Sequence, residues 1–270
     1  MANIPSKVQS RLTIGIKKFQ NVLKSAKTKD INESDTVTII MDMLAELFGY
    51  DKYSEITSEY AIKKTYCDLA IKIENKLRFL VEIKAIGLDL KVDHIKQVVD
   101  YGANQGVDWA ILTNGTNWKV YKIIFGKPIL NELVYEFDFM NLNPKKETDI
   151  ELLYYVSKES FGKSALEDYR LQKQTLSKFF IGQILITDPI LDCIKRTLKK
   201  ISPDVKVTTE EIKDVLILDV LKREVFDDEK AEGARKKINK VYKSTNKKES
   251  KPKEQEEEQQ QKGIDNLHIA

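Results

Sequence analysis

The chain has 270 residues, 41% of them hydrophobic, and a formal net charge of +3. That length holds one large domain or two small ones, and the apolar fraction excludes a globally disordered chain. A nearly neutral balance carries no overall nucleic-acid footprint, so any basic surface is local.

The opening Met1-Ala2-Asn3-Ile4-Pro5 lacks the apolar core of a signal peptide, and no run is long and apolar enough to cross a bilayer. A soluble, cytoplasmic chain without membrane contact is expected. Cys67 and Cys193 lie far apart, and they read as reduced thiols rather than a disulfide or metal pair. Val8, Leu12, Ile16, Phe19 and Leu23 recur at helical spacing and predict a helix over about 5–26. A second helix is expected over about 32–48, with Val37, Ile40, Leu44 and Leu47 inward. Asn32 or Asp30 can cap its start, and Gly49 stops it.

Strand candidates over about 53–60 lead into a hairpin over 66–86. Folding it about Asn75 opposes Leu69 to Val81, Ile71 to Phe79 and Ile73 to Leu77, which makes one face wholly apolar. In that register Asp68 faces Glu82, with Cα atoms about 4.5–5.5 Å apart. Lys84 stands two residues on, roughly 6–7 Å along the same strand. Opposed like charges destabilise a sheet and raise one pKa unless a cation neutralises them, and hard oxygen ligands suit Mg²⁺. Leu80 and Ile86 read as sharing the face of Glu82 and Lys84, so the strand is expected to be buried on both sides, where charge is costly and more often functional.

A helix follows over about 90–104, with Val92, Ile95, Val98, Val99 and Gly102 on its packed side. Residues 107–113 form a buried strand, Asn114-Gly115 a turn, and 118–125 another strand. Strand, helix, strand over 77–113 is a βαβ unit with a parallel pair. The expected fold class is α/β, a mixed central sheet flanked by helices, followed by a helical C-terminal region. Strand signals stop near Asn143. Asp188-Pro189 reads as an N-cap with proline at the first helical position, and Thr208-Thr209-Glu210-Glu211 as a capping box. Three regions are expected: 1–142, a helical module over 143–226, and a charged tail over 227–270, disordered or at most a solvated helix.

The order Asp68, then Glu82-Ile83-Lys84, then a helix carrying Gln97 and Tyr101 resembles the PD-(D/E)xK nuclease superfamily. More closely, it resembles the amino-terminal nuclease domain of type I restriction enzyme R subunits, in a stand-alone form without the helicase motor. The likeness covers roughly 28–125 and takes in Glu33, Leu47-Phe48-Gly49-Tyr50 and residues 110–115 with Trp118 and Tyr121. Where the superfamily often has proline before the first aspartate, Cys67 stands. The resemblance implies that Asp68, Glu82 and the backbone carbonyl of Ile83 hold Mg²⁺, with Mn²⁺ as a substitute, and that Lys84 helps deprotonate or position the attacking water. An ammonium beside a metal site can have a depressed pKa. Glu33 would orient Lys84 or hold metal through water, and Gln97 and Tyr101, four apart on one helical face, would tie the site to the DNA backbone.

The activity implied is Mg²⁺-dependent hydrolysis of DNA phosphodiesters in restriction, phage defence or DNA processing. The same chemistry permits RNA. Specificity borrowed from a protein partner is favoured over autonomous site reading, because no groove-reading helix is evident, and two-strand cutting would favour a homodimer. The alternative is a silent nuclease-fold module for nucleic-acid binding or assembly. Gly162-Lys163-Ser164 lacks the glycine of a phosphate-binding loop, Ser157 standing in its place, and reads as a turn. His94 and His268 read as surface residues, Glu59 as a weaker third acid than Glu33, and Lys63-Lys64, Lys195-Arg196 and Lys199-Lys200 as solvated or phosphate-contacting pairs.

Overall fold

Val8, Leu12, Ile16, Phe19 and Leu23 are all buried along one side of helix α1 (Ser6–Thr28), as a 3.6-residue period demands. The structure, a computed structural model, describes residues 2–62 and 65–249. Helix α2 (Glu33–Asp42) starts where the Asn32 side chain accepts from Asp35 N–H, and it runs into one π-helical turn over Met43–Leu47. Gly49 ends this run at φ +85, and a Cβ there would stand 2.7 Å from the Arg11 guanidinium. The positive φ is what disfavours a side chain at that position, since the arginine is a flexible neighbour that can give way.

Six strands come next: β1 (Ile56–Ile62), β2 (Thr65–Ile73), β3 (Lys76–Ile83), β4 (Trp109–Thr113), β5 (Asn117–Ile124) and β6 (Leu130–Asp138). They form one sheet in the order β1-β2-β3-β4-β5-β6. Only β3 and β4 run parallel, joined by helix α3 (Val92–Asn104), and every other pair is antiparallel. The expected mixed sheet and βαβ unit are therefore present. β6 is an antiparallel edge strand beyond those expected from the sequence.

Side chains alternate across the sheet, and each face has its own core. On one face Leu69, Ile71, Phe79, Val81, Ile83, Ile111 and Val120 pack with α1 and the π-helical turn. On the other, Ala70, Leu80, Ala110, Leu112 and Ile123 pack with Ile95, Val98 and Val99 of α3. Gly102 lets α3 lie close to the sheet, since a Cβ there would sit 2.3 Å from Ile123 Cδ1. Val92, expected inward, is 71% exposed in the first turn of α3.

The hairpin keeps its register where the charges are and loses it at the turn. Leu69 pairs with Val81 and Ile71 with Phe79, but Lys72 pairs with Leu77 and Ile73 with Lys76 across a bulge between Ile71 and Lys72. The turn is the two residues Glu74-Asn75, at φ +53 and +60, the type I′ geometry that suits the twist of a hairpin. A three-residue turn was expected; the bulge absorbs the difference and restores the pairing beyond it.

The chain divides into two compact units between Arg170 and Leu171, later than the boundary expected at 142. The reason is packing. Helix α4 (Glu147–Tyr154) and the chain just beyond it give Ile150, Leu153, Tyr154, Tyr155, Val156 and Leu166 to the first core. Short helix α5 (Lys158–Phe161) and the start of α6 (Ala165–Thr175) complete this unit. Gly162-Lys163-Ser164 lies in the turn between them, with no strand leading in.

The second unit is helical: α7 (Lys178–Leu185), α8 (Asp188–Ile201), α9 (Thr209–Val215), a π-helical turn (Leu216–Val220), α10 (Glu224–Asp227) and α11 (Glu229–Glu249). Thr208 and Glu211 form the expected capping box. The cap of α8 is Thr187, with Asp188 already helical, one residue earlier than expected. Over 229–249 the charged segment is a helix, exposed along most of its described surface, with Ala231, Ala234 and Ile238 buried on one side. Residues 250–270, including His268, and the pair Lys63-Lys64 lie outside the described residues. No helix among the described residues is long and apolar enough to cross a membrane.

Candidate active site

Three charged side chains meet at the end of β3. Asp68 has the strand parity of Ala70 and Glu82 that of Leu80, which puts both carboxylates on the α3 side of the sheet. Strand β3 ends at Ile83, although the Lys84 N–H still donates to Thr113 O of β4 at 2.9 Å. Beyond that bond the chain turns away. Ile86 therefore packs in the opposite core from Leu80, not on the face of Glu82 as the alternation suggested. The loop after it is tied down by Asn114, whose Nδ2 donates to Leu88 O at 2.9 Å while its Oδ1 accepts from Thr116 and Asn117 N–H.

Asp68 Oδ2 accepts from the backbone N–H of Ile83 at 2.6 Å, bridging β2 to the end of β3. Lys84 Nζ donates to Glu82 Oε1 at 2.7 Å and lies 3.7 Å from Glu33 Oε2 at the start of α2. Glu33, Glu82 and Lys84 thus form one ion-pair chain, with Asp68 tied to the residue between the last two. Asn32 is what begins α2 at the position where its first residue reaches the lysine.

Burial is the largest influence on all three. It pushes the Asp68 carboxyl up; the Ile83 N–H and Lys84 pull it down and Glu33 adds to the rise, leaving it above the usual carboxylate value. Burial likewise raises Glu82, the Lys84 hydrogen bond opposes this, and Asp68 and Glu33 reinforce it. For Lys84 burial acts downward, but the hydrogen bond to Glu82 and the charges of Glu82, Glu33 and Asp68 overcome it. The lysine is raised, not depressed. Its acidic neighbours act here as its counter-ions.

The donor set fits a small hard cation. Asp68 and Glu82 each give one oxygen to the protein and leave the other, Oδ1 and Oε2, without a hydrogen bond among the described residues. Both are held above their normal pKa partly by negative neighbours, a cost that a divalent ion would reverse. Two carboxylates plus solvent is an ordinary Mg²⁺ environment. No group of three or more His, Cys, Asp or Glu side chains able to hold a metal occurs among the described residues.

The other candidates make no hydrogen bond or ion pair to this centre among the described residues. Tyr101 packs against the α3-side core and makes no hydrogen bond to the carboxylates or lysine among the described residues. The side chain of Gln97 is not among those described. His94 Nδ1 accepts from Lys91 N–H at 3.2 Å and so serves the start of α3. Glu59 lies in β1 at φ +47. Cys67, beside Asp68, is fully buried and donates to Leu69 O and Val81 O; burial, then Glu82 and Asp68, push its thiol up to about 12. The contribution that sequence reasoning missed is the Ile83 N–H, which holds Asp68. The resemblance gives Ile83 only a carbonyl role, and a backbone amide leaves no sequence signal.

Residues 37–149 match the family model described as type I restriction enzyme R protein N terminus. That stretch contains Asp68, Glu82, Lys84, Gln97 and Tyr101, and begins just after Glu33. No curated protein and no solved structure matched the chain.

Proposed function

Taking residues 37–149 as a domain of the type I restriction enzyme R protein N-terminal kind, we propose that the chain is a Mg²⁺-dependent deoxyribonuclease, with Mn²⁺ able to substitute. The observation that carries the reading is the meeting of Asp68, Glu82 and Lys84 at one strand end, with Glu33 reaching the lysine from α2. Asp68 and Glu82 would hold the cation through Oδ1 and Oε2, with the Ile83 carbonyl as a further oxygen. When bound, that ion supplies Lewis-acid polarisation of a phosphodiester and a more acidic water.

The chain's own residues do the positioning. Asp68 is oriented by the Ile83 N–H, so a short carboxylate is held to the strand end without freedom to swing. Lys84, fixed between Glu82 and Glu33, presents a full positive charge to the negative phosphate that forms the transition state. Its raised pKa suits it to charge stabilisation and to orienting water more than to taking the proton itself. Restriction or phage defence is the setting that fits, with DNA as substrate and a protein partner or second copy supplying specificity. A cytoplasmic location accords with this setting.

The test is cleavage of plasmid, linear and single-stranded DNA with Mg²⁺ or Mn²⁺, comparing wild type with Asp68→Ala and Lys84→Ala. We expect both variants to fold and to lose at least about a hundredfold in rate. Equal cleavage by all three would overturn the assignment. Retained DNA binding with no metal-dependent cutting by wild type would favour the silent binding module instead.

A further inference from the structure

Helix α1 carries Lys7, Arg11, Lys17, Lys18, Lys24 and Lys27 and no Asp or Glu, although 42 of the chain's 270 residues are acidic. The formal net charge of the whole chain is only +3. One helix therefore holds more than the entire excess, and the rest of the chain is net negative. The local basic surface that composition leaves open is here, and it lies outside the family-matched stretch.

Internal contacts account for two of these cations. Arg11 is bound to Glu159 and Lys18 to Glu46. Lys7, Lys17, Lys24 and Lys27 are exposed and make no ion pair among the described residues. Their placement does little for the helix itself. Lys7 sits in the first turn, where the macrodipole disfavours a cation, and only Lys27, in the last turn, is favoured. With no acid on the helix, none of them has a counter-charge one turn away, and Lys24 and Lys27 are like-charged neighbours. A surface of mixed sign would keep the helix solvated equally well.

The platform is fixed, and it ends at the nuclease centre. Leu12, Ile16, Phe19 and Leu23 seat α1 in the core, and Gln20 Nε2 donates to Leu142 O at 2.9 Å. By helical period Lys7, Lys17 and Lys24 stand on the side opposite that seat, in a row roughly 26 Å long. At the C-terminal end of α1, a Cβ on Gly115 would stand 2.9 Å from Leu23, and the adjacent Asn114 holds Leu88 O. Asp30 closes on Gly87, leaving no room for a Cβ there, and Glu33 reaches Lys84.

A straight row of cations leading to a phosphodiester-cleaving centre fits the backbone of duplex DNA, a stiff and closely spaced row of negative charge. A membrane surface fits less well, because Ile14 and Val22 are the only large apolar side chains exposed on α1, too few for a stripe that inserts. We propose that the outer face of α1 is a DNA-backbone binding surface, with Lys7, Lys17 and Lys24 contacting phosphates and guiding the duplex to the strand end. The choice of partner rests on the nuclease reading; the charge asymmetry does not.

The experiment measures binding of a mixed-sequence duplex to the full chain over a range of salt, in EDTA so that metal-dependent cleavage is silent. Wild type is compared with Lys17→Gln/Lys24→Gln and with Lys76→Gln/Lys127→Gln. The second pair removes the same charge from two exposed lysines at the opposite end of the sheet. We expect the α1 variant to melt no lower than wild type and to bind about tenfold or more weakly at low salt, with a log–log salt slope shallower by about 2. The second pair should match wild type. Equal weakening by both pairs would reduce the effect to net charge and overturn the proposal. So would undiminished binding by the α1 variant, no duplex binding by wild type, or binding to phosphatidylglycerol vesicles in place of DNA. Plasmid cleavage in Mg²⁺ is scored separately. Binding that depends on α1 in a wild type that never cuts would sink the nuclease reading alone; cutting with binding indifferent to α1 would sink only this proposal.

Discussion

Asp68 and Glu82 sit where ionisation costs the fold free energy, and that cost is measurable. Because the folded pKa of Asp68 lies above its unfolded value, the folded state holds the extra proton. This site's effect on stability therefore worsens as pH rises through the window above about 4 and is relieved below it. Asp68→Asn can keep the Ile83 N–H bond while removing the charge, so in metal-free buffer at pH 7 it should melt about 1–3 °C above wild type. Mg²⁺ should raise the wild-type melting temperature through the linkage of binding to folding, and should raise that of the variant little. A variant less stable than wild type, and equally responsive to Mg²⁺, would refute the electrostatic account.

Glu159 behaves in the opposite sense. Burial acts upward on it, but the paired hydrogen bonds from Arg11, at 2.7 and 2.8 Å, leave its pKa lowered. Its contribution is present above the unfolded value near 4.3 and is lost as pH falls through the depressed folded value. Urea titrations across that acid window should show a shallower loss in Arg11→Ala than in wild type. The acid pair and Lys84 were legible because residue type and hairpin register together mark them. Arg11 and Glu159 were not, because nothing in a linear pattern joins residues 148 positions apart.

At the scale of elements, the long periodic helices and the buried parallel strand were readable because burial imposes a period on them. β6 escaped because it is an edge strand with a shift in register opposite Val120 and Tyr121, so its alternation is broken and half its residues face solvent. The turn of the β2–β3 hairpin was misjudged by one residue for a related reason: a bulge changes the count without changing which residues face the core. Helix α2 gives the sharpest test of how an element serves the site. Asn32→Ala removes the side-chain cap and should cost about 1 kcal/mol in urea unfolding. If the cap also fixes Glu33 against Lys84, the same variant should cut more slowly with little change in DNA affinity.

The whole molecule parts where its cores part, not where its secondary structure changes character. Strand signals end near 142, yet Leu153, Tyr154 and Val156 are wholly or almost wholly buried against the sheet unit. A fragment of residues 1–170 should therefore unfold cooperatively, while one ending at 142 should lose that cooperativity and expose apolar surface to a dye; equal behaviour of the two would place the boundary back at 142. The division was hidden in the sequence because a helix packed on a sheet and a helix packed on other helices have the same apolar period. The two thiols fall on opposite sides of this division. Cys67 is sealed within the sheet and held protonated, whereas Cys193 stands exposed on α8. A maleimide dye added to the native, unmodified chain should thus attach once, on the helical unit. That gives a ready-made optical reporter on the half of the molecule beyond the family-matched stretch, with no cysteine to engineer in or out.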